Sequence, residues 1–284
     1  MDPIHRFRRP ALRTPRALVA FEGWNDACEA ASGALAYVLE QYGGEPFAVI
    51  EPEEFYDFQV SRPVVSVVAG HNRNLAWPDT RFFDVEMPEA DHDLVIVLGD
   101  EPNLRWKTYT RLIAQVLGET GVEAVVTLGA FIGQVAHTLP VPIVGVATDP
   151  ALIADRGLLS SHYEGPTGVP AVLLEACREA GIPTIGLWAA TPHYLAANPN
   201  PKAMLALLQR AAELSGVPVD TGELEQVATE FEGRVESAMV ASSDLTDYVR
   251  TLEKGAADDE TPEVAPGAGR QLVEELEQFL RDQG

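Results

Sequence analysis

Seven short, largely apolar runs punctuate the first two-thirds of the chain: 17–23, 46–52, 63–70, 93–99, 123–131, 142–149 and 184–190. Each is strand-sized and ends in Gly, Pro or polar residues. Between them, apolar residues recur at helical spacing. Ala27, Ala30, Ala31, Ala34, Leu35 and Val38 form one stripe, with Asp26 and Glu29 before it as a capping box. Asn103 is placed to cap a helix with Trp106, Tyr109, Ile113, Val116 and Leu117 inward. Asn200 and Pro201 open another, with Met204, Leu207, Leu208 and Ala211 inward and Gly216 as the stop. Buried strands alternating with helices predict an α/β fold, a three-layer α/β/α sandwich around a mostly parallel sheet.

Tyr163 to Gly181 shows how such a boundary is written. Val169, Val172, Leu173, Ala176, Cys177 and Ala180 share one helical face, and Gly181 ends it. Pro170 must lie in the first turn, since deeper it would clash with a carbonyl. Thr167 is then the expected N-cap, with Gly165 and Pro166 in the preceding turn. The amides of Gly168 and Val169 lack helix partners, and such an end attracts anions; a helix start is the favoured reading and an anion cradle the alternative.

After residue 216 the strand patterns stop. Asp220 and Glu223 form a second capping box before Leu224, Val227, Phe231, Val235 and Met239. Leu245, Tyr248, Val249 and Leu252 keep the helical period. Residues 254–269 are rich in Gly, Pro, Ala and acid, and predict a flexible linker before a last helix carrying Leu272, Leu276, Phe279 and Leu280. The domain reading is an N-terminal arm over 1–16, an α/β domain over 17–216, and a helical extension over 217–284. Arg6, Arg8, Arg9, Arg13 and Arg16 make the arm basic, and it is expected to fray.

Charge narrows the partners. The net charge of −23 argues against nucleic acid and anionic membranes, whose phosphates it would repel. From 211 onward there are 18 acidic residues against 5 basic, so the extension is a candidate protein-partner surface. No run approaches the ~20 apolar residues of a membrane helix. Two cysteines without paired spacing suit a reducing cytoplasm.

Candidate chemistry gathers in the loops that follow strands: 22–27, 99–106, 147–150 and 190–194. In open parallel sheets, ligands sit beyond the strands' carboxyl ends. The candidate ligand-binding residues are therefore Trp24, Asn25, Asp26, Asp100, Glu101, Arg105, Asp149, Tyr163, Gly165, Thr167, Gly168 and His193. Arg105 is expected to bond Asp100 or Glu101, with Trp106 in the core. An Arg105–Trp106 site for a planar or anionic group is the other reading. Adjacent carboxylates in a turn diverge, so Asp100 and Glu101 make a poor acid–base pair. The six histidines are scattered without ligand spacing, and no Gly-x-Ser-x-Gly elbow, dinucleotide fingerprint or phosphate loop is present. No catalytic residue, metal or cofactor is expected.

The segments GWNDA at 23–27, GDEPNLRW at 99–106, the long run from Tyr163 to Ala203, and YVRTLEK at 248–254 resemble the bacterial branch of the proteasome assembly chaperone family, second-subunit type. The likeness spans roughly residues 15–282. It implies a phosphorylase/hydrolase-like fold, a C-terminal helical extension and a homo-oligomer, a trimer. Eukaryotic and archaeal relatives hold proteasome subunits during ring assembly through a hydrophobic-tyrosine-any tail. This sequence instead ends Asp282-Gln283-Gly284. Relatives often carry arginine where Leu139 stands in His137-Thr138-Leu139-Pro140. Two functions follow: a non-catalytic oligomeric assembly or interaction protein, which the residues favour, or a binder or enzyme acting on a nucleoside-like or anionic small molecule.

Overall fold

The computed structural model describes residues 3–68, 72–149, 158–160, 163–196, 199–240 and 243–257. The strands are β1 (Ile4–Arg6), β2 (Arg16–Glu22), β3 (Glu45–Ile50), β4 (Val64–Val68), β5 (Asn72–Ala76), β6 (Thr80–Val85), β7 (Leu94–Asp100), β8 (Ala124–Gly133), β9 (Ile143–Ala147), β10 (Leu159–Ser160) and β11 (Thr184–Pro192). Nine of them form one sheet in the order β1-β3-β6-β7-β2-β8-β11-β9-β10. β7, β2, β8 and β11 are mutually parallel and make its centre. The β1, β3 and β6 flank is antiparallel, as is the β9–β11 pair.

The parallel strands are apolar on both faces because helices cover both. In β2, Ala17, Val19 and Phe21 point to one layer and Leu18 and Ala20 to the other. The first layer holds α2 (Trp106–Thr120) and α3 (Val169–Glu179), through Tyr109, Ile113 and Leu117 and through Val169, Leu173 and Cys177. The second holds α1 (Ala30–Tyr42) and α4 (Pro201–Ser215), through Ala31, Ala34 and Leu35 and through Ala203, Leu207 and Leu208. Gly33 lets α1 and α4 approach closely, since a Cβ there would lie 2.5 Å from the Met204 methyl. Asn200 caps α4 through a 3.1 Å bond from Ala203 N, and Gly216 ends it in the left-handed region, as the sequence suggests.

Helices α5 (Gly222–Val240) and α6 (Ser243–Ala257) form the extension. Phe231, Val235, Leu245, Val249 and Leu252 pack on Ala136, Tyr194 and Leu195, next to the carboxyl end of β11. The expected linker at 254–269 is corrected at its start, since residues 254–257 continue α6; the rest of it and the last helix lie outside the described residues.

Three expectations change. The basic arm does not fray: Ile4 is buried, and β1 pairs with β3 at the sheet edge. Arg6 is bonded to Glu119, Arg8 to Asp84 and Arg13 to Asp93, so the arginines neutralise acids of the same chain. The run at 63–70 joins no strand of the main sheet. It pairs with β5 in a separate two-stranded ribbon. Asn103 does not cap α2; its Oδ1 accepts from Asp57 N at 2.8 Å and from Ser61 Oγ at 3.1 Å. Arg105, in the left-handed conformation, precedes the helix instead.

Candidate functional site

The loops after β2 and β7 and the start of α3 meet beyond the carboxyl ends of the central strands. Asn25 O accepts from Ala130 N at 2.7 Å, which draws the loop after β2 alongside β8. The Asn25 side chain, 2% exposed, then donates from Nδ2 to Glu101 Oε1 at 2.7 Å. The same oxygen accepts from Val169 N, the first amide of α3, at 2.8 Å. The helix end does attract an anion, and the anion is the chain's own Glu101.

This arrangement corrects the capping assignment. Gly168 occupies the N-cap, and Thr167 faces solvent. Gly168 is needed for space rather than for a special dihedral. Its φ of −105° is ordinary, but a Cβ there would lie 1.7 Å from Asn25 Nδ2.

Asp26 is buried and caps α1 from several residues away. Its Oδ1 accepts from Ala31 N at 2.7 Å and Ser32 N at 3.2 Å, and its Oδ2 is bonded by the Ser32 hydroxyl. Burial pushes its pKa up against these bonds, which favour the charged form. The capping box with Glu29 does not form, because Cys28 and Glu29 both take positive φ and α1 begins only at Ala30. Asp100 sits beside Glu22 across the β2–β7 register. Burial raises both carboxyls, and Asp100, Asp26 and Glu29 add repulsion at Glu22.

The other candidates lie elsewhere or point outward. Arg105 pairs with Glu54 and sits 5.7 Å over the Phe55 ring, so it bonds neither Asp100 nor Glu101. Trp106 is half-buried, its indole N–H donating to Pro102 O at 2.6 Å. Asp149 is exposed at the opposite end of the sheet. β9 runs antiparallel to β11, so its carboxyl end lies where β11 begins, near Thr184. Trp24 and Tyr163 are 65% and 67% exposed. The Tyr163 hydroxyl donates to Pro166 O at 2.9 Å, and Gly165 is exposed beside it.

His193 belongs to the joint with the extension. Its Nε2 lies 3.0 Å from the Tyr248 hydroxyl of α6. Tyr194 stacks edge-on against His193, His137 and Tyr248. The Tyr194 oxygen accepts from His137 N and lies 2.8 Å from His137 Nδ1. The other ring nitrogen, His137 Nε2, is buried without a hydrogen-bond partner among the described residues. Burial, then Lys202, pushes His137 down to about 4. Lys202 Nζ in turn bonds His137 O at 2.6 Å and Glu232 of α5 at 2.5 Å. Sequence reasoning missed this joint, although His137 and His193 were visible. Their partners Tyr194 and Tyr248 read locally as a strand-end loop residue and a helix-stripe residue.

The large side chains that face solvent at the strand ends are apolar, Trp24, Phe131 and Ile132 with Tyr163 and Leu104 nearby in the loops, and they stand beside the carboxylates of Glu22 and Asp100. Among the described residues, no group of three or more His, Cys, Asp and Glu could hold a metal ion, and no helix is long and apolar enough to cross a membrane.

A family model described as the PAC2 family matches residues 20–239. A PAC2 family protein from Streptomyces avermitilis is 44% identical, with a TM-score of 0.77 over 83% of this chain and 99% of its own. A proteasome-assembly chaperone homologue from Mycobacterium tuberculosis is 40% identical, with a TM-score of 0.76 over 82% and 99%. An archaeal proteasome activator from Pyrococcus furiosus, 19% identical, shares the fold at a TM-score of 0.64 over 82% and 97%. No functionally curated protein matches the chain. The chain belongs to the PAC2 family and is related to proteasome assembly chaperones, as its loop motifs suggest.

Proposed function

We propose that this protein is a non-catalytic, homo-oligomeric interaction protein of the cytoplasm that acts as an assembly chaperone. The observation carrying this reading is the Asn25–Glu101–Val169 lock. Asn25, Glu101 and the first amide of α3 bond one another, and the large side chains left exposed beside Glu22 and Asp100 are aromatic and aliphatic. Such a face suits contact with a protein more than binding of an anion, whose place at the helix end Glu101 fills. The acidic extension supplies a second surface, and unassembled proteasome subunits are its proposed cargo, by analogy with the mycobacterial relative.

Retention of unassembled proteasome subunits from the same cell by the purified full chain, with slower core-particle assembly in a deletion strain, is the expected result. Normal assembly in that strain with no subunit retained would sink the chaperone reading. A nucleoside, phosphate or sugar phosphate that binds at the strand ends would overturn the non-catalytic one. At 100 times its dissociation constant it would add about 2.7 kcal/mol, roughly 5–10 °C in melting temperature.

A further inference from the structure

The β4–β5 ribbon stands apart from the main sheet, and the side chains at 64–67 and 73–76 are exposed on both of its faces. Val64 is 66% exposed, Val65 56%, Val67 63% and Leu75 50%. On one face Val65 lies opposite Leu75 and Val67 opposite Arg73, giving an apolar strip with a cation in it. A two-stranded ribbon is marginal alone in water, so a cover over this strip would stabilise it. At its base Trp77 packs edge-on against Phe58, which fixes where the ribbon leaves the domain.

Charge singles the ribbon out. Residues 58–78 contain Arg62 and Arg73 and no Asp or Glu, in a chain with 43 acidic residues. The strand-end face has the opposite character. Trp24, Phe131 and Ile132 are exposed there, beside Glu22 and Asp100, which stand next to each other across the β2–β7 register. Both surfaces lie at the same end of the sheet, because the ribbon runs into β6, whose Thr80 pairs with Gly99 at the carboxyl end of β7.

We infer that the ribbon of one copy docks on the strand-end face of a second copy, laying Val65, Val67 and Leu75 against Trp24 and Phe131 and bringing Arg73 to Glu22 and Asp100. This rests on the homo-oligomeric part of the proposed function, and it names the contact. The contact joins two different patches, so it runs head to tail. Such contacts close into rings when the rotation between copies allows.

Light scattering on the full chain during gel filtration reads the mass. The native chain is expected to run as an oligomer. Arg73→Glu and Glu22→Lys, both at exposed positions, are each expected to weaken association about thirtyfold or more. In the mixture every contact between unlike copies pairs opposite charges again, one native and one with its charges exchanged, so association reappears. Val65→Asp serves as an independent substitution on the apolar side.

Val65→Cys chains mixed with Trp24→Cys chains should form a disulfide between copies. A native chain that runs as a monomer overturns the inference and leaves the ribbon to a different protein. An oligomer that survives Arg73→Glu and Val65→Asp overturns it too. So does a link that forms only within a chain carrying both cysteines, since the ribbon would then cover its own strand-end face. None of these masses bears on subunit retention, so the chaperone reading stands or falls separately.

Discussion

Replacing Gly168 by alanine tests the lock most directly. The added Cβ would stand 1.7 Å from Asn25 Nδ2, 2.5 Å from Cγ and 2.6 Å from Oδ1. The backbone is extended at this residue, so alanine adds no dihedral strain and the whole cost is steric. Overpacking a buried site costs about 1–3 kcal/mol. Driving Asn25 away also breaks its bond to the Glu101 carboxylate, about 1.5–3 kcal/mol for a bond to a charged group. The stiffer unfolded chain returns up to about 1 kcal/mol. The net loss is about 1.5–6 kcal/mol, or about 3–24 °C in melting temperature for a domain of this size.

All three crowded atoms belong to the Asn25 amide. With Asn25→Ala already in place, the glycine substitution should therefore cost under about 1 kcal/mol. Equilibrium urea unfolding of the two single variants and the double variant, compared at constant slope, measures the coupling. Equal costs in both backgrounds would refute the argument, as would a neutral Gly168→Ala in the native one.

His137 should make the protein acid-sensitive. The unfolded imidazole takes up its proton as pH falls through 6.5, the folded one only near 4, so stability is complete above the first value and is lost between the two. The loss is about 3 kcal/mol by pH 4. Urea midpoints of His137→Gln should fall less steeply over that window; equal slopes would remove His137 as the cause. Deleting residues 1–8 removes buried Ile4, worth about 1.5–3 kcal/mol, and uncovers the edge of β3. A melting temperature lower by several degrees, with aggregation seen by light scattering, is expected; an unchanged melt would show that the arm is dispensable.

The central strands were legible because each is a continuous apolar run, which a sheet covered on both faces demands. β6 escaped notice because Arg81 and Asp84 break a six-residue segment whose Thr80, Phe82 and Val85 are buried. β1 is three residues among arginines, and only the open edge of β3 makes it a strand. Direction was the harder failure. The run at 142–149 reads identically parallel or antiparallel, so Asp149 was assigned to the wrong end of the sheet. The strand-end loops were correctly gathered as a group. Their internal wiring was hidden because the decisive bonds join Glu101 to residues 76 and 68 positions away. Local capping rules look only a few residues along the chain, and so they chose Thr167.

The strand order also sets a schedule for synthesis. β9 joins the sheet only through β11, and β10 only through β9. Yet β11 follows β9 by roughly 40 residues, which takes about 2–8 s at the usual pace of translation. For that interval β9, with Val144 and Val146, has only the two-residue β10 beside it and no link to the rest of the sheet, while β7, β2 and β8 can already assemble. Arrival of β11 completes both sides at once, pairing with β8 over nine residues and with β9 over five. The emerging chain is most prone to aggregate just before β11 is made, and a ribosomal pause before Thr184 should lower the soluble yield more than one placed after Pro192.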